Sequence, residues 1–388
     1  MMIRSLASPA GRRRAAGCLA AAAGLGLPAA GGAQANLSTQ GFGYPTGQFS
    51  TRANGTGGAL GELDPLSPVN PATLTLIGTR LVYIQIEPEF RTVTSAKGSD
   101  PTNTTRFPVV FGALPLGSRW VMSLGSSSLL DRTSTTSFPT TQIVSSDTVT
   151  MNTEYRVNGA MDDVRLAAGW TPAGWLRLGV GAHAITGHNL VSITQSFADT
   201  TVFKSFTQQR ILGFSGSAVS AGVEIVAKNF TAGVSGRVGG SLRLAVEDTA
   251  LGSARVPNRF GASVAYTGIA NSSIAIRTSH DQWSSLGGLG SPTVKGIDAW
   301  DTSIGADMAG PRLGSRIIYV RGGFRDRTLP FAADGDQVRE RSISGGLGTS
   351  FANGRVLTDF AAIRAARSAD IGASEHAWTL SFGFTVRP

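Results

Sequence analysis

The last residues of the chain, Trp378-Thr379-Leu380-Ser381-Phe382-Gly383-Phe384-Thr385-Val386, alternate between two kinds of side chain. The even positions are all apolar, and the odd positions are all small or polar. Because successive side chains of a β-strand point to opposite faces, this alternation predicts a strand with one apolar face. The pattern recurs along most of the chain, so we predict that this stretch closes a β-barrel.

The longest clean run of this kind extends from Phe230 to Val246. It fits either one long strand or two strands joined by a turn at Gly239-Gly240. We predict an all-β fold for residues 79–388: a transmembrane antiparallel β-barrel of roughly 14 strands. Three polar links, Lys97 to Arg106, Ser284 to Lys295 and Asp326 to Gln337, are predicted to be extracellular loops.

Composition agrees with a barrel without requiring one. Of the 388 residues, 15% are charged, 41% are hydrophobic and 50 are glycine, which also suits a soluble all-β sandwich. The net charge of +9 includes four arginines of the first 14 residues, and no block of basic residues follows. We therefore predict no nucleic-acid partner.

The N-terminus has the three parts of a secretory signal peptide. A basic group, Arg12 to Arg14, precedes an apolar stretch, and Ala33-Gln34-Ala35 follows as a cleavage site. We predict that residues 1–35 are removed and that the protein resides in the bacterial outer membrane. Cys18 lacks the leucine of a lipoprotein box, and its loss with the leader would leave no thiol.

Residues 36–78 differ from the rest of the chain. They are rich in Gly, Ser, Thr, Asn and Pro, and the stretch Leu63 to Ala72 contains Pro65, Pro68 and Pro71. Proline cannot donate to a strand ladder, which excludes a central strand here. One interpretation is a flexible linker; the other is an N-terminal hatch inside the barrel lumen, where protein groups satisfy its irregular backbone.

No sequence motif indicates catalysis, a metal or a cofactor. The chain lacks a Gly-x-Ser-x-Gly elbow and a phosphate-binding Gly-x-x-x-x-Gly-Lys sequence. We therefore predict that it is not an enzyme, with no catalytic residues, no metal ligands and no cofactor.

The candidate polar side chains receive structural interpretations. Two histidines lie five residues apart and are expected on opposite faces of a strand, and two adjacent aspartates are interpreted as a solvated strand start. Two glutamates on one face are interpreted as a strand-end charge pair, and a His-Asp pair next to a tryptophan carries no specific signature. These residues are His183, His188, Asp162, Asp163, Glu87, Glu89, His280, Asp281 and Trp283.

Short sequences resemble the FadL/TodX family of outer-membrane transporters of hydrophobic compounds. Asn70-Pro71-Ala72, just before the first predicted strand, resembles the N-P-A of the family's hatch. Further similar pieces lie in the C-terminal third: Val256-Pro257-Asn258-Arg259-Phe260-Gly261, Val320 to Phe331, Arg339-Glu340-Arg341 and Gly345-Gly346-Leu347-Gly348.

The resemblance implies a fourteen-stranded barrel with an N-terminal hatch. It also implies passive diffusion of a hydrophobic ligand, which leaves sideways into the membrane through a gap made by a kinked strand. Asn70, Pro71 and Ala72 are then hatch positions rather than ligand contacts, and the ligand-binding residues are unknown.

Three functions follow as alternatives. The leading hypothesis is passive outer-membrane transport of hydrophobic small molecules, fatty-acid-like or otherwise apolar, with membrane lipid as the surrounding partner. A second is a barrel that docks secreted or surface proteins through its extracellular loops. A third is a general, water-filled porin.

Overall fold

The computed structural model describes residues 41–95, 98–144, 147–197, 203–247, 249–289, 295–314, 316–333, 336–369 and 374–388. The predicted signal peptide, residues 1–35, and the first residues of the predicted hatch, 36–40, lie outside the described residues. Among the described helices, none has both the length and the apolarity needed to cross a membrane.

One sheet dominates the structure, and its neighbouring strands run antiparallel. The last strand pairs with the first strand of the wall, which closes the barrel, with Trp378 opposite Phe90 and Val386 opposite Val82. The strands are β1 Tyr44–Pro45, β2 Leu81–Ser95, β3 Gly98–Arg106, β4 Val109–Leu116, β5 Trp120–Asp131, β6 Ser134–Val144, β7 Asp147–Ala173, β8 Leu176–Phe197, β9 Phe206–Ala227, β10 Phe230–Val246, β11 Thr249–Arg255, β12 Arg259–Tyr266, β13 Ser273–Asp281, β14 Ala299–Leu313, β15 Arg316–Ala333, β16 Asp336–Phe351, β17 Val356–Ser368 and β18 Ser374–Val386.

Three wall strands are interrupted and continue after a break of two or three residues. These continuations are β3 into β4, β5 into β6, and β11 into β12. With each interrupted strand counted once, the wall has 14 strands, which confirms the predicted all-β barrel. We call the end where β2 begins and β18 ends the lower end, and the opposite end the upper end.

The outer face of the wall is apolar, as the alternation predicted. Large exposed side chains include Val82, Leu124, Val180, Val264 and Ile276. Aromatic rings lie toward both ends of this band, which is typical of a wall in contact with lipid. Trp120 stacks on Trp170 near the lower end, and Phe90 lies beside Trp378 and Trp300 beside His280 near the upper end.

Two details of the strand prediction are decided by the structure. The run from Phe230 to Val246 is one strand, β10, with a register shift against β9 between Gly239 and Leu242. The loop prediction is wrong for Lys97 to Arg106, which is mostly β3, and for Asp326 to Gln337, which belongs largely to β15 and β16. Most of these strand ends extend to or beyond the upper aromatic rings, where both faces can be polar.

Residues 41–77, which we call the inner segment, lie inside the barrel. The segment contains a short helix, α1 Thr51–Gly55, and a 3-10 helix, η1 Pro71–Leu76. Ser50 caps α1 by accepting a hydrogen bond from the backbone N–H of Ala53 at 3.1 Å. Most of the segment is buried, including Ala53, Ala59 and Leu74.

Glycines of the wall allow the inner segment to lie directly against the strands. At nine inward positions a methyl group would overlap the segment or press on it, because the segment occupies that space. The segment therefore packs against the wall partly because glycine, which has no side chain, leaves room for it at these positions. We call this set the glycine belt: Gly169, Gly179, Gly222, Gly233, Gly261, Gly305, Gly323, Gly346 and Gly383.

Candidate functional site

The upper part of the lumen holds a cluster of buried apolar side chains. Strands β5, β7 to β10 and β14 contribute, together with the inner segment and a second 3-10 helix, η2 Trp283–Leu289. An apolar lumen of this kind can replace water around a hydrophobic molecule. We call it the upper cluster: Phe42, Leu129, Leu130, Met161, Ile185, Phe214, Ala218, Leu242, Leu244, Val256, Trp283, Leu286 and Ala299.

A dense layer of ion pairs anchors the inner segment to the wall. Tyr44 is at its centre, and its hydroxyl donates to Glu340 at 2.8 Å and accepts from Arg367 at 2.9 Å. The guanidinium groups of Arg327 and Arg367 also lie over the Tyr44 ring, at 4.8 and 4.6 Å from its centre. Such a network of paired charges holds its members in fixed positions, because an unpaired buried charge is costly.

Glu62 provides a second anchor of the inner segment. Its carboxylate accepts hydrogen bonds from Ser235 and Arg259, both at 2.5 Å, and lies 3.5 Å from Arg277. Burial alone would raise the pKa of Glu62, but the two guanidinium groups and these hydrogen bonds outweigh it and hold that pKa below its usual value. The charged form of Glu62 thus fixes the segment to β10, β12 and β13.

The predicted motif residues Asn70, Pro71 and Ala72 lie together at the start of η1. Asn70 accepts from the Ala72 N–H at 3.0 Å and donates to the Glu62 carbonyl at 2.8 Å, so it caps the helix and ties it to the rest of the segment. The three residues face the glycine belt at Gly179 and Gly222 and lie outside the upper cluster. Their assignment as hatch positions stays a prediction.

Two sequence interpretations are corrected by the structure. Glu87 and Glu89 share a face, as expected, but they are buried lumen residues rather than a strand-end charge pair. Glu87 accepts from Asn54 and Gln85, each at 2.7 Å, whereas Glu89 pairs with arginines. Asn54 lies 33 residues from Glu87 in the sequence, and two of the arginines at Glu89, Arg106 and Arg367, lie 17 and 278 residues from it, so spacing alone did not identify these contacts.

Asp163 is also misassigned as a solvated strand residue. It is buried and accepts from His183 Nδ1 at 2.8 and 2.9 Å, while His183 Nε2 lies 2.8 Å from Ser220 Oγ. His188 is exposed on the other side of β8, so the expected opposition of the two histidines is confirmed. Within the described ranges, no group of His, Cys, Asp and Glu could hold a metal ion.

The wall is broken at two places, and a different piece of the chain covers each. At the first break, which follows Arg106 and Asp131, the described residues of β3 pair only with β2 and those of β6 only with β7. Pro108 lacks a backbone N–H, which helps to end the ladder there. From inside, β1 of the inner segment pairs with β5 through Tyr44–Asp131 and Pro45–Leu130.

The second break lies at Val256-Pro257-Asn258. Above it, the described part of β11 pairs only with β10, and η2 packs along its other edge. Ser285 of η2 donates to the Arg255 carbonyl at 3.1 Å, and Trp283 and Leu286 project into the upper cluster. The second break is therefore covered by a loop helix, whereas the inner segment covers the first.

Several solved structures share this fold. A Pseudomonas aeruginosa FadL homologue matches with a TM-score of 0.62 and 14% identity, over 89% of this chain and 99% of that one. The Pseudomonas putida toluene transporter TodX matches at 0.58 and 12%, over 88% and 99%. The Ralstonia pickettii toluene transporter TbuX matches at 0.56 and 15%, also over 88% and 99%.

Identities this low establish the fold and no more. The barrel has the fold of the FadL and TodX proteins, as the sequence resemblance implied. No protein-family model matches the sequence, and no curated protein does.

Proposed function

We propose that this protein is an outer-membrane transporter through which hydrophobic small molecules diffuse passively. In this proposal residues 36–78 form the hatch, residues 79–388 form the barrel, and Asn70-Pro71-Ala72 seats the hatch against the wall. The named activities of the structural neighbours, toluene transport and monoaromatic hydrocarbon passage, support this class of ligand.

One observation carries the proposal: the upper cluster reaches from one wall break to the other. Val256, Trp283 and Leu286 belong to it beside the second break, and Leu129 and Leu130 belong to it beside the first. An apolar molecule could thus cross from one break to the other along a lumen surface that favours it over water.

The two breaks lie at different heights, which gives the path a direction. Arg106 is three residues below Asn103, the register partner of Phe90, so the first break begins inside the apolar outer band. Asn258 is two residues above Phe260, which is aligned with His280 and Trp300, so the second break begins above that band. We infer an entrance at the second break and an exit into lipid at the first.

A reversible cross-link tests the exit. Pro45 and Leu130 are antiparallel register partners, so the Pro45→Cys/Leu130→Cys pair meets the distance needed for a disulfide. In a chain with Cys18 replaced, we expect oxidation to abolish uptake of labelled toluene into lipid vesicles and reduction to restore it. The matched control, Ala362→Cys/Leu380→Cys, bridges β17 and β18 in the continuous wall and should leave uptake unchanged.

Uptake that persists through the oxidised Pro45–Leu130 cross-link would refute an exit at the first break. Vesicles with the unmodified protein that admit toluene no faster than empty vesicles would refute the transporter function itself.

The general-porin alternative is not favoured by the lumen. The inner segment and its ion pairs fill the middle of the described barrel, and a cavity there, lined by Tyr44, Glu89 and Arg367, measures only about 60 Å³. Single-channel recording should therefore give no stable conductance of small ions.

A further inference from the structure

A trio of buried polar side chains lies next to the upper cluster. We call Asp163, His183 and Ser220 the polar trio; they stand on β7, β8 and β9, and each is less than 10% exposed. Their hydrogen bonds connect them in series, from carboxylate to imidazole to hydroxyl. Nothing in the path described above requires such a chain.

The polar trio lies at the edge of the upper cluster. Met161, Ile185 and Ala218 of the upper cluster each lie two residues from a member of the trio on the same strand, and therefore on the same face. A molecule held by the upper cluster would thus meet the trio with one end.

The hydrogen bonds define what Ser220 can offer. Because a carboxylate can only accept, we assign the proton of a neutral His183 ring to Nδ1, facing Asp163, which leaves Nε2 as an acceptor. Ser220 therefore donates its hydroxyl proton to Nε2 across the 2.8 Å contact, and its free lone pairs can only accept. His183 is in this way a positioning residue, since it fixes the direction of the Ser220 proton.

Arg237 supplies the complementary group. It is the direct register partner of Ser220 across β9 and β10. Its Nη1 lies 3.4 Å from Asp163 and its Nη2 lies 3.4 Å from the Pro257 carbonyl at the second break. The buried Nε has no hydrogen-bond partner among the described residues, and such a donor is costly to leave unpaired.

We propose that Ser220 and Arg237 bind a hydroxyl group on an otherwise apolar ligand. The ligand hydroxyl would donate to Ser220 Oγ and accept from Arg237 Nε, while its apolar body lies in the upper cluster. A pure hydrocarbon would leave both groups unpaired, and a carboxylate would meet an acceptor at Ser220. This inference rests on the proposed function and narrows its ligand class to alcohols and phenols.

The same three residue types occur in hydrolases, where serine is the nucleophile. Here Ser220 lies within a strand that is paired on both sides, with Arg237 and with Gly181. Its neighbouring backbone N–H groups are thus committed to the sheet rather than to an oxyanion hole. The geometry favours binding over catalysis.

Binding of three matched probes tests the inference. We would measure equilibrium dialysis of radiolabelled toluene, 4-methylphenol and 4-methylbenzoate against the detergent-purified protein, with protein-free micelles as the blank. The unmodified protein should bind 4-methylphenol about tenfold more tightly than toluene, the effect of one satisfied buried polar site. Ser220→Ala and Arg237→Met should each remove this preference and leave toluene binding within about twofold.

Two further variants make the test specific. Ser217→Ala, an exposed serine on the same strand, should keep the preference. His183→Ala frees the Ser220 proton for donation, so the affinity for 4-methylbenzoate should rise relative to that for 4-methylphenol. Heat-modifiable mobility on a denaturing gel would verify that each variant is folded.

Equal affinities of the unmodified protein for toluene and 4-methylphenol would overturn the inference. An equal loss of affinity for all three probes in Ser220→Ala would also overturn it. Release of 4-nitrophenol from 4-nitrophenyl butyrate that depends on Ser220 would overturn it too, because Ser220 would then act in catalysis. Toluene uptake into vesicles, measured on the same preparations, separates the two proposals. If toluene is taken up but 4-methylphenol is not preferred, only the proposed hydroxyl site is refuted. If 4-methylphenol is preferred but toluene is not taken up, only the proposed transport function is refuted.

Discussion

The two wall breaks differ in what covers them and in the chemistry of the cover. At the first break, charged groups meet: Arg106 of β3 pairs with Asp131 of β5 at 2.5 Å and also with Glu89. At the second break, apolar groups meet, since Trp283 and Leu286 of η2 pack on the upper cluster. A polar cover is fixed by specific partners, whereas an apolar cover needs only burial and can be displaced by an apolar ligand.

This difference suits the proposed path. An apolar molecule that arrives at the second break can take the place of Trp283 and Leu286 on the same surface. At the first break it cannot replace an ion pair, so passage there requires the inner segment and the Arg106 pairs to move together. We therefore expect the first break to control the rate of transport.

The largest effect is expected from removing the charge at the first break. Arg106→Met would leave Glu89 and Asp131 buried without this partner and should lower the free energy of unfolding by about 3–5 kcal/mol. Urea titration followed by heat-modifiable mobility would measure it. The matched control, Arg339→Met, breaks the exposed pair with Asp326 and should leave the midpoint unchanged. Equal midpoints for both variants would contradict the proposed contrast between the breaks.

A somewhat smaller effect is expected at the second break. Leu286→Ala removes a fully buried side chain and should cost about 2–4 kcal/mol in the same titration. Because a ligand then need not displace the Leu286 side chain, more of the protein holds toluene ahead of the rate-controlling first break, and labelled toluene should enter vesicles faster than with the unmodified protein. Ser284→Ala, an exposed change on the same helix, should alter neither quantity. Slower uptake by Leu286→Ala would place the entrance elsewhere.

Acid should act on the inner segment, and so on the cover of the first break. The folded pKa of Glu62 is lower than its unfolded pKa, so its charge stabilises the fold above the unfolded value. That contribution is lost as the pH falls through the folded pKa. We expect proteolysis of the inner segment to accelerate in acid, while cleavage within η2 does not.

Glu62→Gln removes this titration. The variant should be less stable at neutral pH by about 1–3 kcal/mol, because hydrogen bonds to a charged group are replaced by neutral ones. Its proteolysis should depend less on pH than that of the unmodified protein. An unchanged acid response in Glu62→Gln would assign the effect to other carboxylates.

The smallest effect is expected from the lipid side of the first break. Phe107 is 67% exposed on the outer face, so its ring makes few protein contacts. Phe107→Ala should shift the free energy of unfolding by no more than about 0.5 kcal/mol. A large loss in the same urea titration would mean that this ring, rather than the Arg106 pairs, holds the break together.

The barrel could be predicted from the sequence because its outer face repeats one simple rule. Trp378, Phe382 and Phe384 alternate with small residues, and the same period of two marks most of the wall. Where a strand extends past the apolar band, as β3 and the upper ends of β15 and β16 do, the rule no longer applies. Those stretches were therefore predicted as loops.

The lumen could not be predicted in the same way. Asp163, His183 and Ser220 are far apart in the chain, and only the register of β7, β8 and β9 brings them together. The wall breaks likewise depend on which strand edge remains unpaired. Pro108 and Pro257 lie at the two breaks, but a proline alone does not tell which neighbouring strand loses its pairing.

The glycine belt has a consequence for how the barrel must be assembled. A glycine inside a strand destabilises that strand by roughly 0.5–1 kcal/mol relative to alanine. Nine such glycines therefore lower the stability of a barrel without the inner segment. The segment that fills the resulting groove precedes every wall strand in the chain. The wall and the inner segment thus form one folding unit. We expect the barrel to close around the inner segment rather than to form first and bind the segment afterwards.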